Sequence, residues 1–364
     1  MWEEAPEGRL YLQPCGIVSG AAASAAVATG QGWSLAGGPL AFTACTLYLR
    51  DGANVVVSHG SFAEILDWSA NEGEPVAGYV SRLLHRIGAE RPAYAGLAMD
   101  RPCIMGIINA TPDSFSDGGD HYAAGNAVAS ALAMLEAGAE IIDVGGESTR
   151  PGSAPVSPEE EIRRVVPVIR ELANRGAVVS VDTRHAAVMG AALDAGAAIL
   201  NDITALEGDP DSLPVAARAQ VPVMLMHMQG EPGTMQQNPR YGFAPLDVYD
   251  YLAGRVAACR AAGIPPELIC IDPGIGFGKT VDHNLEIMAR LSLFHGLGCP
   301  ILLGTSRKSF IGRLSKGEAP KDRLAGSLAT GLAGLGQGVQ MLRVHDVAET
   351  AQAVAVWRAM VAVA

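Results

Sequence analysis

From Arg101 onward the chain alternates short apolar runs, polar loops and longer stretches whose apolar positions recur at helical spacing. Runs such as Cys103–Ile108, Ile301-Leu302-Leu303 and Met341-Leu342 are bounded by turn residues and suit parallel strands covered on both faces. Strands are predicted to end near Asn109, Gly145, Asp182, Asp202, His227, Asp272, Gly304 and His345. Helices are predicted between them, for example over 123–137, 158–174 and 246–262. Eight strand–helix units in residues 101–364 fit an α/β fold closed as a (β/α)8 TIM barrel, which typically takes about 250 residues. An open doubly wound sheet is the alternative, but units of such similar spacing favour closure.

Residues 1–98 follow another pattern and read as a small α+β extension of unknown role. Phe42–Arg50 is strand-like, Asp51-Gly52-Ala53-Asn54 is a turn, and Val55-Val56-Val57 starts a second strand, which predicts a hairpin. Val76, Val80, Leu83, Leu84 and Ile87 recur at helical spacing, and Arg91-Pro92 stops that helix. No catalytic constellation stands here, and residues 95–102 read as the junction.

Composition narrows the classes. A chain of 364 residues, 49% hydrophobic and 18% charged, can bury a sizeable core. The net charge of −12 argues against a nucleic-acid binder, which normally shows a basic face. It also requires any anionic substrate to be held by clustered cations. The six cysteines are scattered with no CxxC pair, as expected of reduced thiols in a cytoplasmic protein. Gly16–Gly32 is uncharged but mostly Ala, Ser and Gly. It is too weakly apolar for a membrane span, and Glu3, Glu4 and Glu7 precede it where a signal peptide carries positive charge.

Candidate chemistry lies where the predicted strands end, the active-site end of such a barrel. Asn109, Asp143 with Glu147, Asp182, Asn201-Asp202, His227, Asp272, Ser306-Arg307-Lys308, and Arg343 with His345 all stand there. A single terminal Asp is commonly a helix cap, but eight polar ends together form a site. Asp182, Asn201 and Asp272 make an acceptor-rich group suited to a planar heterocycle that donates parallel N–H bonds. Arg307, Lys308, Arg343 and His345 sit after strands seven and eight, where barrels often bind phosphate. Charge-assisted bonds there contribute about 1.5–3 kcal/mol each. The 109–120 loop is too long for a plain turn and reads as an active-site loop carrying Phe115. The Gly- and Pro-rich 145–155 loop, with Arg150, could close over the site beside it. The run 272–280 ends like a P-loop but has three residues between Gly274 and Gly278 where four are required, so Phe277 reads as a pocket wall.

These residues resemble the dihydropteroate synthase family. Asn-Ala-Thr-Pro-Asp-Ser-Phe-Ser-Asp-Gly-Gly (109–119) looks like its first signature and Gly-Glu-Ser-Thr-Arg-Pro-Gly (146–152) like its second. Val-Asp-Thr (181–183), Asn-Asp-Ile (201–203), Met-His-Met-Gln-Gly (226–230), Asp-Pro-Gly-Ile-Gly-Phe-Gly-Lys (272–279), Ser-Arg-Lys-Ser (306–309) and Arg-Val-His-Asp-Val (343–347) follow in the family's order. The resemblance spans about 101–361 and leaves the extension unexplained. It implies a pterin-binding barrel that joins p-aminobenzoate to 6-hydroxymethyl-7,8-dihydropterin diphosphate, releasing diphosphate with Mg²⁺ present. The pterin pocket then maps onto Asp182, Asn201, Ile203, Met226, Asp272 and Lys308. Asn109, Thr149, Arg150, Arg343 and His345 would contact the diphosphate, with Asn109 on Mg²⁺. Phe115, Pro151, Phe277 and Ser306 would form the p-aminobenzoate site, where sulfonamides compete.

The chemistry agrees with this assignment. Breaking the C–O bond beside an electron-rich pterin needs stabilisation of the leaving diphosphate. A neutral arylamine is already nucleophilic, so no strong general base is required. A pterin-dependent methyltransferase of related barrel fold would share the acidic pocket without needing the diphosphate cations. A non-catalytic pterin-binding regulator would keep the pocket and lose the loops. The expected partners are the two small-molecule substrates and a second copy of the chain in a homodimer, with neither nucleic acid nor membrane.

Overall fold

A computed structural model describes residues 10–110, 120–148 and 155–363, apart from the side chains of residues 120–123. The extension supplies β1 (Leu10–Ser19), α1 (Gly20–Ala28), β2 (Trp33–Leu35), β3 (Leu40–Asp51), β4 (Asn54–Ser61), α2 (Phe62–Asn71) and α3 (Glu74–Gly88). The expected hairpin is present: β3 and β4 pair antiparallel, with Asp51 opposite Asn54. β1 pairs with the other edge of β3, and β2 shares the β4 side. Gly16–Gly32, uncharged throughout, forms the end of β1 and helix α1. Ser61 caps α2 through a capping box with Glu64, which fixes the start of the helix. The five apolar residues predicted along α3 are all buried.

One face of this sheet packs Leu10, Leu12, Phe42, Cys45 and Leu47 against α2 and α3. The other turns Tyr11 and Tyr48 toward the barrel and its core. The extension therefore lies as a layer against the outside of the barrel.

The barrel strands are β5 (Cys103–Asn109), β6 (Ile141–Gly145), β7 (Val179–Asp182), β8 (Ile199–Asp202), β9 (Val223–Met226), β10 (Ile269–Asp272), β11 (Leu302–Leu303) and β12 (Met341–Val344). All are parallel, in the order β10-β9-β8-β7-β6-β5-β12-β11. The ring is completed by a parallel bridge between Ile271 and Ile301, where Ile271 N donates to Pro300 O at 3.0 Å. Helices α4 (Asp120–Glu136), α5 (Pro158–Asn174), α6 (Ala186–Asp194), α7 (Ser212–Ala219), α8 (Ala244–Ala261), α9 (Val281–Met288), α10 (Ser309–Leu314), α11 (Leu324–Leu335) and α12 (Val347–Val363) surround it.

The strands are short, and side by side they form the barrel wall. Their central residues are buried on both sides, which explains the uninterrupted apolar runs. Cys103, Met105, Ile141, Ile199, Met224, Cys270, Leu302 and Met341 fill the barrel's lower interior, and Tyr94 and Met99 from the junction close its bottom. The six cysteines are free thiols, and among the described residues no helix is long and apolar enough to cross a membrane.

Candidate active site at the barrel mouth

Side chains alternate inward and outward along a strand. Two residues beyond members of the apolar floor the interior turns polar: Asp143 follows Ile141, Asn201 follows Ile199, Asp272 follows Cys270 and Arg343 follows Met341. A one-residue change of face separates Asn201 from Asp202. Asp202 faces its own loop, accepting from Thr204 N at 2.7 Å and Leu206 N at 3.0 Å.

Arg343 holds the inner ring together. Its Nε donates to Asp143 Oδ2 and its Nη2 to Asp182 Oδ2, each at 2.6 Å. Asn201 Nδ2 donates to the same Asp143 oxygen at 3.1 Å. Asp143 is fully buried, and its Oδ1 has no hydrogen-bond partner among the described residues. Along the sequence these groups separate into acceptors on strands three, four and six and cations on strands seven and eight. The structure instead joins the two sets through Arg343 and adds Asp143, which the pocket expected from the sequence leaves out. Asp272 Oδ1 accepts from Gly274 N at 2.7 Å, so this carboxylate also fixes its own loop.

Burial works against the Arg343 charge, but Asp143 and Asp182 outweigh it and hold the guanidinium above its ordinary pKa. Asp182 is pushed up, first by burial and then by Asp143, with Arg343 pulling the other way. Burial also raises Asp272. Lys308 is lowered to about 8 by burial and by Arg343, against the opposing pull of Asp272 and Asp182.

Beside the polar ring lies a small apolar cluster of Ile203, Met226, Met235 and Phe277, with Met228 against it. The Lys308 ammonium sits 3.9 Å from the centroid of the Phe277 ring, close enough for a cation–π contact. Ser306 accepts from His345 N at 3.2 Å, and its Oγ is 3.1 Å from Nδ1 of the same ring. Burial, then Arg307 and Arg343, lowers His345 to about 3, so the ring is neutral. Ser306 Oγ and Nδ1 share one hydrogen bond, and in the tautomer where the hydroxyl donates, the ring proton sits on Nε2 and can be offered to an anion. Arg307, which the sequence reading groups with the phosphate cations, is ion-paired with Asp346.

Asn109 ends β5 opposite Gly145 of β6. Phe115, Thr149, Arg150 and Pro151 lie outside the described residues. The structure thus assembles Asp182, Asn201, Asp272, Lys308 and Arg343 in one ring, Ile203, Met226 and Phe277 beside it, and Ser306 with His345 at its edge.

One buried group escapes the sequence reading. Lys279 donates to Gly274 O at 2.8 Å, Phe277 O at 3.0 Å and His227 O at 3.3 Å, and its Nζ lies 2.9 Å from His227 Nδ1. It ties the β10–α9 loop onto the end of β9. Gly274 and Gly278 have positive φ and lie so close to the 227–229 backbone that a Cβ would meet His227 O at 1.9 Å and Gln229 O at 2.4 Å. Only glycine fits there. The signal available in the sequence is the run of three alternating glycines, Gly274, Gly276 and Gly278, that leads into Lys279.

The family described as "Pterin binding enzyme" matches residues 105–345. The chain belongs to the pterin binding enzyme family. Within that family it resembles the dihydropteroate synthases. That of Escherichia coli strain K12 is 49% identical over 261 residues, covering 71% of this chain and 92% of that protein. The Xanthomonas albilineans enzyme solved with 4-aminobenzoic acid is 47% identical with a TM-score of 0.70, covering 74% of this chain and 97% of that one. The same enzyme in complex with 7,8-dihydropteroate is 44% identical with a TM-score of 0.67, with the same coverage. The family match begins after the extension, so pterin-binding kinship concerns the barrel alone.

Proposed function

We infer that this pterin binding enzyme is the dihydropteroate synthase of folate biosynthesis, a transferase. It condenses 6-hydroxymethyl-7,8-dihydropterin diphosphate with p-aminobenzoate to give 7,8-dihydropteroate and diphosphate. The observation that carries the reading is the Asp143–Arg343–Asp182 assembly with Asn201 and Asp272, an acceptor-rich cradle for a flat heterocycle, placed beside cations. It agrees with the solved relative that holds 7,8-dihydropteroate.

Asp182, Asn201 and Asp272 accept from the pterin's N–H edge, and Ile203 and Met226 flank its ring. The methylene carbon loses its diphosphate oxygen as the arylamine nitrogen bonds to it, and the nitrogen then gives up a proton. Lys308, Arg343 and neutral His345, with Thr149 and Arg150, hold the negative charge that collects on the leaving group. Phe277, Ser306, Phe115 and Pro151 bound the p-aminobenzoate site, where sulfonamides compete. Arg343 serves both substrate halves, because it aligns Asp182 and also faces the anion.

The donor set fits Mg²⁺. This ion prefers oxygen ligands and usually binds through one or two protein groups plus substrate phosphates and water. Asn109 offers one carboxamide oxygen at the mouth, and the described residues hold no cluster of three His, Cys, Asp or Glu that could seat a metal alone. Asn109 would hold the ion, which when bound neutralises charge on the diphosphate.

We place the protein in the cytoplasm, on the strength of its six free thiols. We also read it as a homodimer: Val356, Met360 and Val363 are exposed at helical spacing along α12, and a second copy would cover this stripe.

The deciding experiment measures diphosphate release with each substrate alone and with both, at saturating Mg²⁺. Release should require both. No release with both present refutes the assignment.

A further inference from the structure

The extension touches the barrel at one functionally placed point. Arg50, at the end of β3, donates from Nη1 to Asp250 Oδ2 at 3.0 Å and from Nη2 to Asp247 Oδ1. Tyr11 of β1 donates to both Asp250 oxygens, at 2.8 and 2.9 Å. Asp247 and Asp250 lie in the first two turns of α8. The other oxygen of Asp247 accepts from Gly242 N at 2.7 Å and Phe243 N at 3.2 Å. One carboxylate therefore links the extension to the last residues of the β9–α8 loop.

A second contact grips the same spot. The Tyr48 ring lies 5.8 Å from that of Phe243, centroid to centroid, and the Arg290 guanidinium sits 5.2 Å over the Phe243 ring. Arg290 Nε donates to the Tyr48 hydroxyl at 3.1 Å, and that hydroxyl donates to Gln13 Oε1 at 2.7 Å.

From there the loop runs to the mouth. Tyr241 donates to Gly278 O at 2.7 Å, and Gln236 Nε2 donates to Gly276 O at 2.6 Å. Gln229 and Arg240 clamp the loop's two ends through a reciprocal pair of 2.8 Å bonds. Met235 from this loop packs with Phe277, Ile203 and Met226. The loop thus braces the glycine-rich segment that carries Phe277, which lies under Lys308.

We propose that the N-terminal extension is a positioning clamp for the reaction, in which Arg50 and Tyr48 hold the β9–α8 loop in place so that Phe277 is correctly set for the arylamine substrate. Ile203 and Met226 stand on barrel strands or immediately after one, Asp182 and Asp272 end strands and Asn201 lies one residue inside the end of its own, so the pterin side needs no such support. Phe277 and Met235 stand on loops and do. Arg50 and Tyr48 are positioning residues, since neither reaches the mouth. The assignment of Phe277 to p-aminobenzoate rests on the function proposed above, whereas the clamp itself can be tested without it.

The test uses the full chain with Arg50→Met and, as a milder change, Tyr48→Phe, together with Arg50→Lys. Hydrogen exchange of the ligand-free proteins reports the clamp directly. In Arg50→Met, amides of residues 228–243 and 274–278 should lose protection while those of β5 to β8 keep it. Steady-state kinetics should then show KM for p-aminobenzoate raised at least about fivefold, the lower end of coupling between separated sites, with KM for the pterin substrate within twofold. Tyr48→Phe should shift both readouts in the same direction by less, and Arg50→Lys should recover part of the loss by keeping one ion pair. Unchanged protection in the loop overturns the clamp, and so does an equal rise in both KM values. Loss of loop protection in a protein with no wild-type turnover would leave the clamp standing and sink the catalytic assignment instead.

Discussion

Lys279 Nζ lies 2.9 Å from Nδ1 of His227, with both side chains buried. While Lys279 is protonated a second cation cannot share such a position, so the histidine is then neutral and its Nδ1 accepts from the ammonium. Burial, then Lys279, lowers His227 to about 2. Burial also lowers Lys279, to about 7, with Asp272 resisting and Lys308 assisting.

This pair sets a pH dependence. Between about pH 7 and 10 the unfolded chain binds a proton on Lys279 that the folded chain does not, so this residue makes stability rise with pH across that window. Lys279→Met removes the rise that it contributes and strands two buried carbonyl acceptors, His227 O and Phe277 O, since Gly274 O keeps its bond from Phe277 N, at a cost of about 2–4 kcal/mol near pH 9. The deficit should be smaller near pH 6, where the wild type must bury the ammonium. Urea unfolding at both pH values checks this, and a deficit that grows toward pH 6 would reverse the assignment.

Arg343 is paired with two acids, so replacing it does more than remove a phosphate contact. Arg343→Met leaves Asp143 and Asp182 facing each other in the interior, a change of about 3–5 kcal/mol in stability when a buried pair loses one partner. Binding of plain pterin should fall along with binding of its diphosphate. Calorimetric titration of both ligands decides the matter, and pterin affinity at the wild-type level would mean that Asp182 orients itself without the guanidinium.

Phe277 and Lys308 form the other separable unit. Lys308 is useful as a cation, and with its pKa lowered to about 8 the free enzyme should lose kcat/KM as pH rises through that region. Phe277→Leu removes a cation–π contact of about 0.5–2 kcal/mol. The alkaline limb should move to lower pH, and KM for p-aminobenzoate should rise about tenfold, a 1.4 kcal/mol change. A pH profile identical to that of the wild type would show that the ring does not stabilise the ammonium.

The barrel is legible in the sequence because its signals are local. Polar residues terminate apolar runs, and the predicted ends at Asn109, Gly145, Asp182, Asp202 and Asp272 coincide with the observed ones. The ends predicted at His227, Gly304 and His345 fall one residue beyond theirs. What stays hidden depends on residues distant in sequence. Nothing near Arg343 announces that it meets Asp143 and Asp182 across the barrel, 200 and 161 positions away. Lys279 looks like a solvated lysine until the fold closes over it. In the extension the β3–β4 hairpin and α3 follow from turn chemistry and periodicity. β1 and α1 do not, because β1 pairs with a strand 30 residues on and α1 is nearly uniform alanine.

His295 tests the junction between extension and barrel under acid. Its Nε2 lies 2.9 Å from Gln337 O, and Arg91 of the extension approaches its Nδ1 at 3.4 Å. Burial, then Arg91, lowers it to about 3, so the folded protein keeps this ring neutral while the unfolded chain protonates it near its usual value. Between about pH 6.5 and 3 the unfolded state therefore binds the extra proton, and stability falls as pH falls. His227 and His345 act in the same sense, so acid sensitivity should be steep. His295→Gln can still donate to Gln337 O but does not titrate. It should flatten the pH dependence of the unfolding free energy by about one proton over this range, a slope change of about 1.4 kcal/mol per pH unit. Parallel denaturant titrations of wild type and variant at pH 4, 5, 6 and 7 read that slope, and identical slopes would mean that His295 is already protonated in the folded protein.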